Sequence, residues 1–284
     1  MQGDFEVIGM RTVTLLNKVL AGLLVCMFAL PLAYCRAGER EDAAVRYFTE
    51  EPAGRYYMYS FLHEKLKAGE ALPEEEERTR HVLDKLIKAA VSMNGYSAQA
   101  EGWQMENDAM VLVTPNEKFN AYALPGGIFV VNRGMLNILS DDELAVILAH
   151  ELGHQVLGHP VAAMKRSPLA CRYLRRAAKE LAAEQLAEDA GAEKPAAARK
   201  SVEAFWEAVQ LSHVLKREER EADEWAAQLI AHSGFDIYAA VNLWPWLEEM
   251  YGPVPNAGNH LSYKERSKIY EAARMDGVQG TLQD

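Results

Sequence analysis

Apolar residues in the first third of the chain follow the spacing of α-helices. Over 40–69 and again over 73–93 they recur every three or four positions, which predicts two helices with one face in a core. Pro73 and the acidic run 74–77 suit the first turn of the second helix, where proline is tolerated and negative charge meets the positive end of the dipole. The acidic run is therefore predicted to be a helix start.

The pattern changes to that of β-structure between 103 and 131. Short runs rich in β-branched and aromatic residues predict strands at 109–113, 119–124 and 128–131. Proline, asparagine and the turn sequence Pro-Gly-Gly at 125–127 separate these runs. Because the connections are short, we expect the three strands to form a small antiparallel sheet.

The helix that follows the strands is predicted to lie in the middle of the fold. Ser140 and Glu143 have the spacing of a capping box, and residues 144–149 after them are apolar on every side. A long helix is predicted over 201–231, and a last helix from about residue 262. The expected fold class is α+β, a mostly helical domain with a small antiparallel β-sheet, and the expected extent of this single domain is 38–284.

Residues 161–200 differ in composition from the rest of the domain. They are rich in Ala, Lys, Arg and Glu, with Gly191 and Pro195 as breaks, and we interpret them as a partly mobile helical insertion. The basic side chains come first, which would suit peripheral contact with anionic lipid headgroups. An ordinary solvated helix face is the alternative, and it is the favoured one.

The amino-terminal segment predicts export. Residues 19–35 carry no charge and follow Arg11 and Lys18, as the apolar core of a secretory signal does. Pro31 interrupts this run, which is short of the roughly 20 apolar residues of a membrane span. We therefore predict a cleaved signal peptide at 1–37, with a membrane anchor as the alternative, and a protein exported to the periplasm or cell envelope.

Composition narrows the classes of function. The chain has 284 residues, 49% of them hydrophobic, and a formal net charge of −11. This apolar content can build a proper core, and the acidic balance argues against a nucleic-acid partner. Two of the three cysteines, Cys26 and Cys35, fall within the predicted signal peptide, so no intramolecular disulfide is expected at Cys171.

The sequence His-Glu-Leu-Gly-His at 150–154 lies inside the apolar helix. Histidines at this spacing are only about 40° apart around the helix axis, so both imidazoles can bind one ion. Burying them without partners would be costly, and a metal would offset that cost. His150 and His154 are therefore predicted zinc ligands and Glu151 the general base, with hydrogen-bonded core residues as the alternative. His159 follows His154 by five residues and so lies on a different face, and it is not expected to be a ligand.

The third ligand is expected from the charged helix at 216–223. Glu218 and Glu219 flank its apolar face, whereas Glu221 points away. Glu219 is favoured because Asp223 follows it by one turn, where its carboxylate can accept the second N–H of a ligand histidine. Without a metal, this charged run would be an ordinary solvated helix face.

Five segments follow one another along the chain: NAYALPGG at 120–127, NRGML at 132–136, HELGH at 150–154, Glu-x-x-x-Asp at 219–223 and NHLSYKER at 259–266. In this order they resemble the motifs of the gluzincin metalloproteases, the family of the CAAX prenyl endopeptidases and the heat-shock protease HtpX. The resemblance covers roughly residues 80–270 and points to an exported soluble member of the BepA and LoiP type, here without a repeat domain. Asn259 and Leu261 replace the threonine and proline usual around the late histidine.

The resemblance implies a zincin-like fold and a zinc-dependent endopeptidase with one ion per chain. It gives His260 a role as oxyanion donor or as a gate, and it implies misfolded or unassembled envelope proteins as substrates in protein quality control. The alternatives are a zinc-containing chaperone or assembly factor with latent peptidase activity, and a zinc hydrolase for another amide or ester. An extended substrate is expected to bind at Asn120, Ala121, Tyr122, Ala123, Gly126 and Gly127.

Overall fold

The chain folds into two compact units. One is drawn from Met1–Met58 and Ser167–Leu211, the other from Tyr59–Arg166 and Ser212–Asp284, and every residue of the predicted metal site belongs to the second. The prediction of a single protease domain over 38–284 stays a prediction. The computed structural model describes residues 37–69, 72–93, 99–100, 103–104, 108–189, 197–210, 214–253 and 260–280.

Helices dominate the described residues. They are α1 (Ala37–Thr49), α2 (Pro52–Lys65), α3 (Pro73–Ser92), α4 (Arg133–Leu136), α5 (Asp141–Val156), α6 (His159–Lys165), α7 (Pro168–Asp189), α8 (Ala197–Gln210), α9 (Lys216–Ser233), α10 (Ile237–Tyr251) and α11 (Tyr263–Gly280). The strands are β1 (Gln99–Ala100), β2 (Trp103–Gln104), β3 (Met110–Thr114), β4 (Ala121–Leu124) and β5 (Ile128–Asn132).

The first unit is helical where it is described. Helix α7 packs along α8 and also contacts α1. Buried apolar side chains between these helices include Phe48, Leu174 and Val202. The described residues of the segment 161–200 are helical apart from Arg166 and Ser167, and its status as a mobile insertion stays a prediction.

The helix predicted over 40–69 is divided in the structure. Helix α1 ends at Thr49 and α2 starts at Pro52. Proline has no N–H to donate inside a helix, but its fixed φ suits the first helical position, so the chain restarts there. The prediction of one continuous helix is wrong. It rested on the apolar spacing, which continues across this proline although the helix does not.

The prediction of one long helix over 201–231 is also wrong. Helix α8 ends at Gln210, and α9 begins at Lys216 after Leu215, whose backbone is extended at φ −80° and ψ 150°. The Glu218 carboxylate accepts the N–H of Leu215 at 2.8 Å, as a glutamate in the first turn of a capped helix does. The start of α9 is therefore fixed by its own first turn.

The three predicted strands are confirmed, and they form a mixed sheet with β5 in the middle. Strand β5 runs parallel to β3, with Val111 opposite Phe129, and antiparallel to β4, with Ala123 opposite Phe129. The mostly helical α+β fold class is confirmed, but the expectation of a purely antiparallel sheet is wrong. Strands β3 and β5 are buried along almost their whole length, as parallel strands are, whereas the half-buried β4 forms an edge.

Glycines fix the path of the chain into and out of β5. Gly126 and Gly127 make the predicted turn from β4, and both have left-handed backbones, with φ 86° and 78°. Gly134 in α4 donates its N–H to the carbonyl of Asn116 at 3.0 Å. A Cβ on Gly134 would clash with the backbone of Glu117, so only glycine allows this close approach.

Helix α5 lies among α3, α9, α10 and β4. The predicted capping box is confirmed, because the Ser140 hydroxyl accepts the N–H of Glu143 at 3.3 Å and the Glu143 carboxylate accepts the N–H of Ser140 at 2.8 Å. Every residue from Leu144 to Gln155 is buried. The fold therefore has to accommodate two histidines and a glutamate in its interior.

Gly153 allows α9 to approach α5 closely. A Cβ at this position would lie 3.0 Å from the carbonyl oxygen of Ala222 and 3.2 Å from the ring of Trp225. Both neighbours are buried, so neither has much room to move. The glycine between the two histidines thus brings the carboxylates of α9 within reach of the imidazoles.

No helix within the described ranges is long and apolar enough to cross a membrane. The predicted signal peptide at 1–37 falls almost wholly on residues 1–36, which lie outside those ranges. The signal peptide, and a membrane anchor as its alternative, both stay predictions.

Candidate metal centre

Two histidines of α5 direct the same ring nitrogen to one point. The Nε2 atoms of His150 and His154 lie 3.0 Å apart. Their rings are nearly perpendicular, with centroids separated by 4.5 Å. Both side chains are buried, at 7% and 6% exposure, so the imidazoles are fixed in the interior.

Glu219 of α9 completes the cluster. Its Oε1 lies 3.4 Å from Nε2 of His154, and its Oε2 lies 3.7 Å from Nε2 of His150. Tetrahedral zinc with bonds of about 2.0–2.2 Å places its ligand atoms roughly 3.3 Å apart. The observed separations bracket that value, so the three side chains fit a zinc ion. Among the described residues, no other group of three metal-ligating side chains lies close enough to hold an ion.

The charge buried around the cluster also fits a divalent cation. Three carboxylates, those of Glu151, Glu219 and Asp223, lie in the interior together with the guanidinium of Arg266. The single positive charge of Arg266, which contacts both Glu219 and Asp223, can balance only one of these two carboxylates. Burial makes such an excess costly, and a divalent cation would neutralise it.

Asp223 lies behind His150. Its Oδ1 is 2.9 Å from Nδ1 of His150, the ring nitrogen that does not face Glu219. The pair has the distance of a hydrogen bond but not its direction, so the attraction is chiefly electrostatic. The structure thus brings together the residues predicted from the spacing of Glu219 and Asp223, and their roles as ligand and orienting residue stay predictions.

Arg266 holds the two carboxylates of α9. It donates to Oε2 of Glu219 at 2.7 Å and to Oδ1 of Asp223 at 3.2 Å. Its guanidinium carbon lies 4.8 Å from the ring centroid of Trp244, a cation–π contact. Although burial opposes its charge, Asp223 and Glu219 raise the pKa of Arg266. In the sequence this arginine is only the last residue of the late motif, and its contact with the carboxylate of Glu219 was not predicted.

The other two glutamates at the start of α9 have different partners. Glu218 accepts two hydrogen bonds from Arg166, at 2.7 and 2.8 Å. Glu221 has a side chain that is 45% exposed, and its Oε2 lies 3.3 Å from Nε2 of His159. Neither carboxylate belongs to the cluster that contains Glu219.

Glu151 is buried beside the cluster and contacts the edge of the sheet. Its Oε2 accepts the N–H of Ala123 in β4 at 2.7 Å. Burial raises the pKa of Glu151 to about 7, although His150 and this hydrogen bond act in the opposite direction. A cation in the cluster would favour the carboxylate and so lower this pKa. A carboxyl group of this kind can accept and return a proton.

His260 contacts the cluster from the segment before α11. Its Nδ1 is 3.0 Å from Oε2 of Glu219, and its side chain is 66% exposed. This contact raises the pKa of His260, while burial opposes the shift. Burial alone would raise the pKa of Glu219, but contacts with His154 and His260 keep it far below its ordinary value. His260 therefore lies beside the predicted ligands without belonging to the group that could hold an ion.

The residues predicted to bind substrate lie along the sheet edge next to Glu151. The carbonyl of Asn120 accepts the N–H of Asn132 at 3.0 Å. Because hydrogen-bonded pairs alternate in an antiparallel ladder, the backbone groups of Ala121 and Ala123 are directed away from β5. Binding of a substrate here stays a prediction. The other predicted residues lie in β4 and in its closing turn, and they are Tyr122, Gly126 and Gly127.

Comparison with known proteins decides the family. Residues 76–271 match the sequence model of Peptidase family M48. The chain belongs to this family. Over 48 residues it is 44% identical to Metalloprotease YcaL of Escherichia coli, and this match covers 17% of this chain and 19% of YcaL. Over 217 residues it is 27% identical to Mitochondrial metalloendopeptidase OMA1 of Schizosaccharomyces pombe, and this match covers 70% of this chain and 54% of OMA1.

These matches confirm the predicted gluzincin family and its class, that of the metalloendopeptidases. The family is zinc-dependent, and the cluster of two histidines and one glutamate lies within the matched residues. The matched part spans about a fifth of YcaL and about half of OMA1, so what those proteins act on is not carried over to this chain.

Glu219→Gln is expected to weaken zinc binding by more than about 100-fold, since the loss of a ligand's outer partner alone already costs about 10–100-fold. The amide keeps the size of the side chain but loses the charge that faces both imidazoles. Zinc content after dialysis and competition with a chromophoric chelator measure the effect.

Glu218→Gln is the matched control for this change. It makes the same chemical replacement one residue earlier, where it should weaken the Arg166 ion pair and lower the melting temperature while zinc affinity is kept. Loss of zinc in the control and not in Glu219→Gln would show that Glu218 is the ligand.

Proposed function

We propose that the protein is a zinc-dependent endopeptidase that holds one zinc ion through His150, His154 and Glu219. The observation that supports it is the convergence of two Nε2 atoms and one carboxylate at the separations zinc needs. Structural zinc sites usually have four protein ligands, whereas catalytic sites use three and leave a position for water. Glu151, next to the cluster, supplies the base that such a site requires.

Bound zinc supplies a Lewis acid that polarises a peptide carbonyl and lowers the pKa of water to about 7. Glu151 takes the proton of the attacking water and later delivers it to the leaving amine, a role that suits a carboxylate buried beside the cluster. Asp223 orients His150, and Arg266 keeps Glu219 ionised and in place through its 2.7 Å hydrogen bond.

The proposed substrate is an extended segment of an unfolded or misassembled protein. On the outer side of β4, the N–H and carbonyl of Ala121 and the carbonyl of Ala123 suit pairing with an added strand, while the N–H of Ala123 is donated to Glu151. Pairing through the backbone makes few demands on side-chain sequence, which favours unfolded polypeptides over small molecules. The contact between Ala123 and Glu151 would place such a strand beside the general base.

The cell envelope is the proposed location of this activity, with misfolded or unassembled envelope proteins as its substrates. The support is the uncharged segment 19–35 behind Arg11 and Lys18. Basic residues near the start of 161–200 would allow peripheral contact with a membrane. The acidic net charge of −11 argues against a nucleic-acid partner.

The contact between His260 and Glu219 supports a second candidate function. A side chain that engages the ligand carboxylate at 3.0 Å fits a resting, latent peptidase. The protein would then act mainly as a zinc-containing chaperone or assembly factor. Glu151, retained beside the cluster, favours the active peptidase over this candidate.

Glu151→Gln is expected to keep its zinc but to lower kcat for casein cleavage by about 10²–10⁴-fold, because the amide cannot accept a proton. Zinc content and the rate of peptide release are measured on the same preparation. Glu224→Gln, an exposed glutamate on α9, should behave as the native protein does. Undiminished cleavage by Glu151→Gln would sink the mechanism.

His260→Ala is expected to lower kcat by about 10²–10³-fold with zinc content unchanged, as the loss of an oxyanion donor does. A rise in cleavage rate or self-cleavage would instead assign His260 to a gate and support the latent enzyme. His232→Ala, an exposed histidine on α9, is the control. Normal kinetics in His260→Ala would show that the late motif takes no part in the reaction.

A further inference from the structure

His159 has no part in the proposed mechanism, yet it is buried against a predicted ligand. Its Nδ1 lies 2.9 Å from Nδ1 of His154, and the residue is 5% exposed. The backbone explains the contact, because α5 ends at Val156 and Gly158 has a left-handed φ of 71°. That turn directs His159 back towards His154, whereas a continued helix would carry it to another face.

The contact fixes which nitrogen of each ring carries a proton. Two imidazole nitrogens at 2.9 Å form a hydrogen bond only if one donates and the other accepts. When Nε2 of His154 binds the zinc ion, its lone pair is used there, so the proton of this ring is on Nδ1. His154 is then the donor and Nδ1 of His159 the acceptor.

The second ring nitrogen of His159 faces Glu221. A neutral His159 that accepts at Nδ1 carries its proton on Nε2. That nitrogen lies 3.3 Å from Oε2 of Glu221, a carboxylate on the exposed side of α9. The three side chains therefore form a row of polar contacts, a hydrogen bond between His154 and His159 and a 3.3 Å contact between His159 and Glu221, from the buried metal cluster to the surface.

We propose that His159 is a positioning residue for the metal site, which holds His154 in the Nδ1–H tautomer and is itself oriented by Glu221. The proposal rests on the proposed zinc site. Ligand histidines commonly donate their second N–H to an outer partner, and losing that partner costs affinity. His150 has a carboxylate, Asp223, in this place, whereas His154 has a second imidazole.

The test is the zinc affinity of two His159 variants, measured by competition with a chromophoric chelator. His159→Leu keeps an apolar side chain of similar bulk but removes the acceptor, and it should bind zinc about 10–100-fold more weakly. His159→Asn places an amide oxygen close to the position of Nδ1 and should stay within a few-fold of the native affinity. A residue that only fills space would show the reverse order.

Glu221→Ala tests the outer link, with Glu224→Ala on the same helix as its control. Glu221 and Glu224 are both exposed, so both variants should fold. We expect a loss of a few-fold in zinc affinity for Glu221→Ala and none for the control.

The tautomers can be read directly in the zinc-loaded native protein by long-range ¹H–¹⁵N correlation. His154 should be protonated at Nδ1 and His159 at Nε2. A proton on Nδ1 of His159, or native zinc affinity in His159→Leu, would overturn this inference and leave the zinc site intact. A native protein that binds no zinc would overturn the proposed function and this inference together.

Discussion

Negative charge buried between α5 and α9 is the constraint on which the rest of the structure depends. The carboxylates of Glu151, Glu219 and Asp223 lie in the interior, and the guanidinium of Arg266 offsets only one of them. Burial raises the pKa of Glu151 and so drives its carboxyl towards the neutral form, and the charge of Glu219 acts in the same direction. A divalent cation would relieve the excess, so charge as well as ligand geometry favours such an ion at this site.

Several local features serve to bring these charges together. Gly153 lets α9 approach the face of α5 that carries His150 and His154, since a Cβ there would lie 3.0 Å from a carbonyl oxygen of α9. Glu218 fixes the first turn of α9, which sets the register of the neighbouring Glu219. On the other side, the hydrogen bond from Ala123 ties Glu151, the proposed general base, to the edge strand. The metal cluster, the base and the strand proposed to bind substrate are thus connected through direct contacts.

Features that depend on neighbours in sequence could be predicted, and features that depend on distant pairing could not. The capping box of Ser140 and the histidine pair of α5 follow from spacing within one helix. The pairing of β3 with β5 could not be derived in this way, because short connections suggest neighbours and give no information on which strand is central. The contact of Arg266 with Glu219 could not be predicted either, since no neighbour of either residue in the sequence requires it. His159 was assigned to the wrong face because the left-handed turn at Gly158 was not anticipated.

The central claim is that two imidazoles and one carboxylate hold the zinc ion. X-ray absorption at the zinc edge of the metal-loaded native protein tests it most directly. We predict a shell of nitrogen and oxygen atoms only, at about 2.0–2.2 Å, with the outer scattering of two imidazole rings. A third imidazole in that shell would mean that His159 or His260 is a ligand, and sulfur in the shell, or a protein that retains no zinc, would contradict the account.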